Sequence, residues 1–299
     1  MLITGGRGFI GRAVAKLLRC TGYDVVSLDA APPSVPTANQ DGTEIVCDLA
    51  DTIQLERVFE MHRIGGIIHL AAILPTAAQR EPVRATQVNI NGSLQLLEMA
   101  LRFGVQRMVF GSSLSVYGTC PPDQIVSETH RAAPEDLYGA AKLYVEQLGE
   151  AYRGAHGLEF LSLRIGRVVG NGAQSTSSAW RSQIFELLGS EGRAEIALPY
   201  MGAERILLVH VDDVAKMLVA LMRAERPEHS IYNAVCQSVI VSDLKREVED
   251  VNSNITVKLG VTPAVGNPRL LDSSRFRKEF GFQTVPILEQ LRRAAEIKS

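Results

Sequence analysis

The sequence predicts a doubly wound α/β fold, a parallel sheet with helices on both faces and a smaller C-terminal lobe that binds substrate. Three observations lead there. Short apolar strand patterns alternate with amphipathic helix patterns through the first half of the chain. A glycine-rich turn, Gly5-Gly6-Arg7-Gly8-Phe9-Ile10-Gly11, joins the first strand pattern to the first helix pattern. The 299 residues, 46% hydrophobic and 21% charged, suffice for one large domain with an appended lobe and exclude disorder or a coiled coil.

The elements follow in order. Leu2-Ile3-Thr4 is a short strand that stops at glycine, and Ile10, Ala13, Val14, Leu17 and Leu18 then recur on one helix face. Asp24 to Leu28 and Thr43 to Val46 read as the next strands, Leu55, Val58 and Phe59 as a helix, and Gly66 to Leu70 as the fourth strand. A long helical pattern runs from Arg84 to Phe103, then a strand from Arg107 to Phe110, a helix from Tyr138 to His156 and a strand from Leu158 to Leu163. Such alternation implies right-handed crossovers, with ligands bound beyond the carboxyl ends of the strands. After Gly170 the character changes to small polar residues and then a helix pattern with Trp180, Ile184, Phe185 and Leu187. Val209 to Asp213, followed by Val214, Met217, Leu218 and Leu221, reads as a strand–helix unit rejoining the main sheet. The division expected is residues 1–170 for the dinucleotide domain, with about 206–236 returning to it. Residues 171–205 and 237–299 then form the substrate lobe.

Composition narrows the partners. Lys plus Arg number 31 against 33 Asp plus Glu, a net charge of −2, which offers no bulk attraction for nucleic acid or an anionic membrane. No apolar run approaches the length of a spanning helix, and the start Met1-Leu-Ile-Thr-Gly carries no signal-peptide pattern. Cys20, Cys47, Cys120 and Cys236 are dispersed, as in a cytoplasmic protein with reduced thiols and no zinc site. His69 and His210 stand at strand ends without further ligands at metal spacing, apart from the adjoining Asp212 and Asp213, so both read as structural and no metal is expected. Asn91-Gly-Ser93 and Asn254-Ile-Thr256 match the glycosylation pattern, which has no use in a cytosolic chain.

The turn from Gly5 to Gly11 has the spacing of a pyrophosphate cradle. Glycines permit positive φ and close approach of a phosphate, and the helix that follows presents its N-terminus to the anion. Asp29 lies eighteen residues beyond Gly11, at the end of the second strand, where a carboxylate accepts from the ribose hydroxyls of NAD and repels a 2′-phosphate. Asp48 after the third strand has two readings, the adenine edge or the N-cap of the helix near Thr52.

Tyr138 and Lys142 lie four apart on one helix face. An ammonium beside a phenol stabilises phenolate and brings a pKa of about 10 toward the working range. Taken alone the pair is also what a solvated surface helix carries. Ser113, after the fifth strand, projects at the same sheet edge and can hold a substrate hydroxyl against the tyrosine.

With these residues the chain resembles the extended short-chain dehydrogenase/reductase family, the NAD-dependent epimerase/dehydratase group of Rossmann proteins. The resemblance rests on Thr4-Gly-Gly-x-Gly-Phe-Ile-Gly11, Asp29, Asp48-Leu49, His69-Leu-Ala-Ala72, Asn89-x-Asn-Gly92, Ser112-Ser-x-x-Val-Tyr-Gly118, Tyr138-x-x-x-Lys142 and Val209-His-Val-Asp-Asp213, in family order. It implies Tyr138 as acid/base, Lys142 as its pKa tuner and ribose ligand, Ser113 as substrate positioner and Asn89 as support for the lysine or a relay water. Gly5, Gly6, Gly8, Phe9, Ile10, Gly11, Asp29, Asp48, Leu49, Leu70, Ala71, Ala72 and Ser112, with Tyr138 and Lys142, would contact the cofactor. The same resemblance implies a homodimer joined through the helices near Asn89 and Tyr138.

The departures from the family pattern bear on the reaction. Leu114 and Ser115 stand where dehydratases of this family carry an Asp-Glu pair, which disfavours dehydration. Arg167 stands where sugar-nucleotide epimerases usually place an asparagine, and Arg205 only loosely matches their diphosphate arginine. Arg167, Arg181 and Arg205 are candidates for a clamp on a carboxylate or phosphate, although for each one singly a surface or interlobe salt bridge is the commoner role. The run Ser175-Thr-Ser177-Ser178, followed by Trp180 and Arg181, is weakly similar to the substrate loop of sugar-acid dehydrogenases of this family and is also explained as a polar loop capping a helix. With Ser113 and Ser115, these residues are the substrate candidates. The leading expectation is NAD-dependent oxidation of a secondary alcohol on a sugar or sugar-acid-like small molecule. A sugar-nucleotide 4-epimerase is the second reading, and a non-catalytic dinucleotide sensor a remote third.

Overall fold

The structure, a computed structural model, describes residues 1–32, 43–172 and 178–296. Its strands are β1 (Leu2–Thr4), β2 (Val26–Asp29), β3 (Thr43–Val46), β4 (Gly66–His69), β5 (Arg107–Ser113), β6 (Ile125–Val126), β7 (Glu159–Ile165), β8 (Arg167–Val169), β9 (Ala194–Tyr200), β10 (Arg205–His210), β11 (Ile231–Asn233), β12 (Gln237–Ile240), β13 (Ile255–Thr262) and β14 (Leu270–Leu271). Its α-helices are α1 (Phe9–Cys20), α2 (Thr52–Met61), α3 (Pro75–Arg80), α4 (Pro82–Thr86), α5 (Ser93–Arg102), α6 (Leu137–His156), α7 (Trp180–Glu186), α8 (Val211–Arg223), α9 (Val241–Val251), α10 (Ser274–Phe280) and α11 (Ile287–Glu296).

Seven parallel strands in the order β11-β7-β5-β4-β1-β2-β3 form the main sheet. Period-two alternation along them builds a core on each face. Ile3, Ile68, Val109 and Leu161 point to the side covered by α1 and α8, and Leu2, Ile67, Met108 and Phe160 to the side covered by α2, α5 and α6. This is the doubly wound arrangement expected, and the strand order reverses between β1 and β4, the crevice where such sheets bind ligands.

Two expectations are corrected. The strand before α8 does not rejoin the main sheet, because β10 pairs with β8 and antiparallel β12 in a separate three-stranded sheet, and it is β11 that joins β7. The reason lies in β10 itself. Leu207 and Val209 pack into the core shared with α1 and α8, while Ile206 and Leu208 face a third core with Trp180, Ile184, Ile196 and Val257. The strand thus links two cores. The second correction concerns the long helix from Arg84 to Phe103, which is helical but not uniform: α4 passes through a π-helical turn, Gln87–Gly92, into α5. A π turn releases a carbonyl from its usual partner, and the Ser93 hydroxyl donates to the Asn89 carbonyl at 2.7 Å.

No helix among the described residues is long and apolar enough to cross a membrane.

Candidate active site

The glycine turn leaves β1 at Gly5, whose φ of +68° only glycine adopts readily. A Cβ there would lie 2.8 Å from the Ala71 amide, and one on Gly11 would lie 2.1 Å from the Gly5 carbonyl. These two glycines close the turn on itself. Gly8 differs, since a Cβ there would meet the Gly5 carbonyl at 3.0 Å and nothing else, so its outer side is open. Gly8 is also the N-cap of α1, and no side chain caps that helix. The first amides of a helix have no partner within it, so Phe9, Ile10 and Gly11 present amides and a positive helix end at the open side. Such a cradle fits a pyrophosphate.

Asp29 stands at the end of β2 with its carboxylate aimed back at the turn, accepting from the Arg7 amide and the Ala31 amide at 3.1 Å each. Asp48 accepts from the Ala50 amide at 3.0 Å and pairs with Arg84. It is not a helix cap: Asp51 caps α2 by accepting from the Gln54 amide at 3.0 Å. Leu49 is buried against Gly92, while Leu70, Ala71 and Ala72 line the exit of β4 half-buried.

A buried hydrogen-bonded chain ties this exit to Asn89. Thr4 Oγ1 accepts from the Leu70 and Ala71 amides at 3.2 Å, so its own proton points to His69 Nδ1 at 2.6 Å. His69 Nε2 then donates to Ser93 Oγ at 2.9 Å, and Ser93 to the Asn89 carbonyl. Burial, with Lys142 nearby, pushes the histidine down to about 3, so it is a neutral strut. The Asn89 side chain closes on the Ile73 backbone, accepting from its amide at 2.7 Å and donating to its carbonyl at 3.0 Å.

β5 continues beyond the expected end at Phe110, since Ser112 and Ser113 stay in register with Arg164 and Ile165 of β7. Ser113 therefore stands at the sheet edge. Its hydroxyl accepts from the Ser115 amide and donates to the Ser115 hydroxyl, both at 3.1 Å. The Ser112 hydroxyl is buried and has no partner among the described residues. Helix α6 docks its N-terminus directly over this edge. Asp136 caps it by accepting from the Gly139 amide at 2.6 Å, and a Cβ on Gly139 would lie 2.5 Å from the Ser115 carbonyl. That approach brings Tyr138 towards Ser113, whose hydroxyl acts on the phenol to lower its pKa.

Lys142 follows one turn later, 3% exposed, with Nζ donating to the Gly111 carbonyl at 2.7 Å. Nζ lies 4.5 Å from the centre of the Phe110 ring and 5.5 Å from that of Tyr138. The simple expectation of an ammonium lowering the phenol does not describe this arrangement. Burial pushes Tyr138 up to about 12, with Asp136 adding to it, and the groups pulling the other way are Ser113 and Arg181. Burial pushes Lys142 down to about 7 against the pull of Glu146. Glu146, one turn further on the same face, forms a bidentate pair with Arg164, and Arg164 also donates to Tyr117 Oη at 2.8 Å. Sequence reasoning missed this pair, although Glu146 is spaced four residues beyond Lys142 as Lys142 is beyond Tyr138.

Arg181 and Arg167 come together around Tyr200, with Arg181 in electrostatic reach of Tyr138. Trp180 is buried edge-on to Tyr200, Arg181 lies over the Trp180 ring, and Arg167 donates to Tyr200 Oη at 3.1 Å. Arg181 Nε is out of solvent contact and has no hydrogen-bond partner among the described residues. Its pKa is lowered by burial, with the neighbouring Arg167 lowering it further against the pull of Tyr200. Neither guanidinium has an ion-pair partner among the described residues, which sets aside a salt bridge for these two. Arg205 is exposed at the start of β10, three residues before Leu208, the register partner of Arg167. Ser177 lies outside the described residues. His210 caps α8 by accepting from the Asp212 amide at 3.3 Å and packs against Phe185.

Comparison with known proteins identifies the family. The NAD dependent epimerase/dehydratase family matches residues 1–234. The mitochondrial L-threonine 3-dehydrogenase of Bos taurus is 27% identical over 293 residues, 95% of this chain and 78% of that protein. The UDP-glucose 4-epimerase of Lacticaseibacillus casei is 33% identical over 176 residues, 56% of this chain, so the matched region spans about half (51%) of that enzyme. The crystal structure of a UDP-glucose 4-epimerase from Thermotoga maritima with UDP-glucose superposes with a TM-score of 0.85 at 27% identity, covering 99% of this chain and 97% of that one.

Proposed function

The chain belongs to the NAD dependent epimerase/dehydratase family and is an NAD-dependent dehydrogenase or epimerase, and on that premise we propose that it is a net dehydrogenase. Its substrate is a small hydroxy acid, a sugar acid or hydroxy amino acid, that carries both a secondary alcohol and a carboxylate. The observation carrying this reading is Arg181, a half-buried side chain whose Nε is out of solvent contact and unpartnered, with no anion among the described residues and the Tyr138 phenol within its electrostatic reach. A buried charge without a counter-charge costs several kcal/mol, and an incoming carboxylate removes that cost. The closeness of cation and phenol favours a short molecule. A diphosphate joined through a hexose would hold its charge a whole ring away from the hydroxyl being oxidised. The likeness, along 95% of this chain, to a dehydrogenase of a small hydroxy amino acid supports the same reading.

The roles follow from the chemistry of each group. NAD, when bound, accepts hydride from the alcohol carbon. The amides of Phe9 to Gly11 and the carboxylate of Asp29 would hold its pyrophosphate and adenosine ribose, with Asp48, Leu49, Leu70, Ala71 and Ala72 along the groove. Ser113 orients the substrate hydroxyl, and Tyr138 takes its proton through Oη. Arg181, as the cation acting on the phenol, stabilises the phenolate that must form, a part assigned by spacing alone to Lys142. Lys142, fixed on the Gly111 carbonyl, holds its ammonium beside the ring as ribose donor. Residues 1–170 with 206–236 supply cofactor and proton chemistry, and 171–205 with 237–299 choose the substrate.

The epimerase reading rests on the Thermotoga maritima likeness. One comparison separates the two: kcat/KM for L-threonine or a uronic acid against the corresponding methyl ester. A carboxylate clamp requires the ester to lose most of its rate. Equal turnover of acid and ester, or turnover of UDP-glucose alone, would sink the proposal.

A homodimer through α6 and the helices from Pro82 to Arg102 is also proposed. Leu137, Ala140 and Tyr144 form an uncharged exposed stripe on α6, with exposed Val83 on α4. Two-fold pairing covers such a stripe with its own copy.

A further inference from the structure

We propose that Glu44 is a cofactor-specificity residue: by pairing with Arg7 it withholds that guanidinium from the ribose-binding corner beside Asp29 and so excludes a 2′-phosphorylated dinucleotide. Arg7 stands inside the glycine turn, between Gly6 and Gly8, and its amide donates to Asp29 Oδ2. Its side chain leads to the same corner, where one guanidinium nitrogen donates to the carbonyl of Ala31, whose own amide holds the other Asp29 oxygen. A cation in that place is a ready ligand for a phosphate on the ribose.

The third partner cancels it. Arg7 Nε donates to Glu44 Oε2 at 3.2 Å, with side chains only 16% and 17% exposed. Glu44 reaches there because β3 pairs in parallel with β2, setting Glu44 opposite Ser27 and Val46 opposite Asp29. Among the described residues the corner thus holds one cation and two carboxylates, a net negative charge against a phosphate monoester that carries about −1.5 to −2 at neutral pH. Asp29 alone would oppose that phosphate but leave Arg7 to answer it. With Glu44 the guanidinium is already satisfied, and binding the phosphate means breaking a sheltered pair.

The test reads cofactor binding alone, so it is independent of which substrate the enzyme oxidises. NADH and NADPH are titrated against the full chain by the fluorescence of the bound reduced nicotinamide. Glu44→Gln keeps the side-chain shape. It should tighten NADPH by about tenfold or more and change NADH by less than about threefold. Arg7→Met combined with Glu44→Gln should lose that gain, since the released guanidinium is its source. If Glu44→Gln melts early, Glu44→Thr, a residue suited to an edge strand, carries the same test. An unchanged NADPH-to-NADH ratio in the folded variant, or a gain that survives loss of Arg7, overturns the proposal.

Discussion

Replacing Arg181 by methionine should move stability and activity in opposite directions. The substitution keeps an unbranched apolar stem against Trp180 and deletes a half-buried guanidinium whose Nε is out of water, next to a second cation and without an anion among the described residues. In the empty protein that charge is a liability, and apolar replacement of buried charges often stabilises by about 1–4 kcal/mol. The favourable interaction with Tyr200 offsets part of it, so a gain of about 1–2 kcal/mol is expected in a denaturant titration. For a carboxylate substrate the same change removes a charge-assisted contact worth about 2–4 kcal/mol, roughly a 30- to 700-fold loss of kcat/KM. It also removes the cation acting on the Tyr138 phenol, so the alkaline shift of the pH profile should grow. Loss of stability by more than about 1 kcal/mol, together with an unchanged KM for the acid, would refute the idea that Arg181 waits for an anion.

Four further outcomes are expected. Glu146→Gln leaves Arg164 buried without its carboxylate and should cost about 3–5 kcal/mol in urea unfolding, against less than about 1 kcal/mol if the pair were merely a surface bridge. Lys142, lowered to about 7 in the folded state from 10.5, should make stability rise with pH. Below about 7 both states carry the proton, whereas above it only the unfolded chain does. The stability difference between wild type and Lys142→Met should therefore climb from about pH 7 to 9 by up to about 1.4 kcal/mol per unit, and a flat difference would place the amine in water. His69, lowered to about 3, contributes the acid counterpart. Its stability contribution is lost as pH falls below about 6.5, where only the unfolded chain takes up the proton, a slope that His69→Gln should reduce. Tyr144→Glu puts charge on the exposed stripe of α6 and should yield monomers by light scattering, while a dimer that persists would place the interface elsewhere.

What was legible in the sequence was local. Gly5 to Gly11, Asp29, Ser113, Tyr138 and Lys142 each lie within one strand–turn–helix unit, where spacing dictates geometry, and the parallel sheet brings such units to one edge. Contacts between distant segments were not legible. Arg181 on α7 comes within electrostatic reach of Tyr138 on α6, and nothing in either segment announces the other. The chain from Thr4 through His69 and Ser93 to Asn89 spans three segments, and it depends on a π turn that helical periodicity cannot register. β10 looked like a strand of the main sheet because both of its faces are apolar, which also describes a strand shared between two cores. Arg7 and Glu44 drew no notice because each is an ordinary charged residue until β3 sets them side by side.

The central claim, net oxidation of a small hydroxy acid, is tested most directly by counting NADH formed per molecule of substrate consumed in a closed reaction. The account requires one NADH for each L-threonine or uronic acid consumed and none with Tyr138→Phe. Conversion of a UDP-hexose to its epimer with no NADH accumulating, and no reaction with either acid, would contradict it.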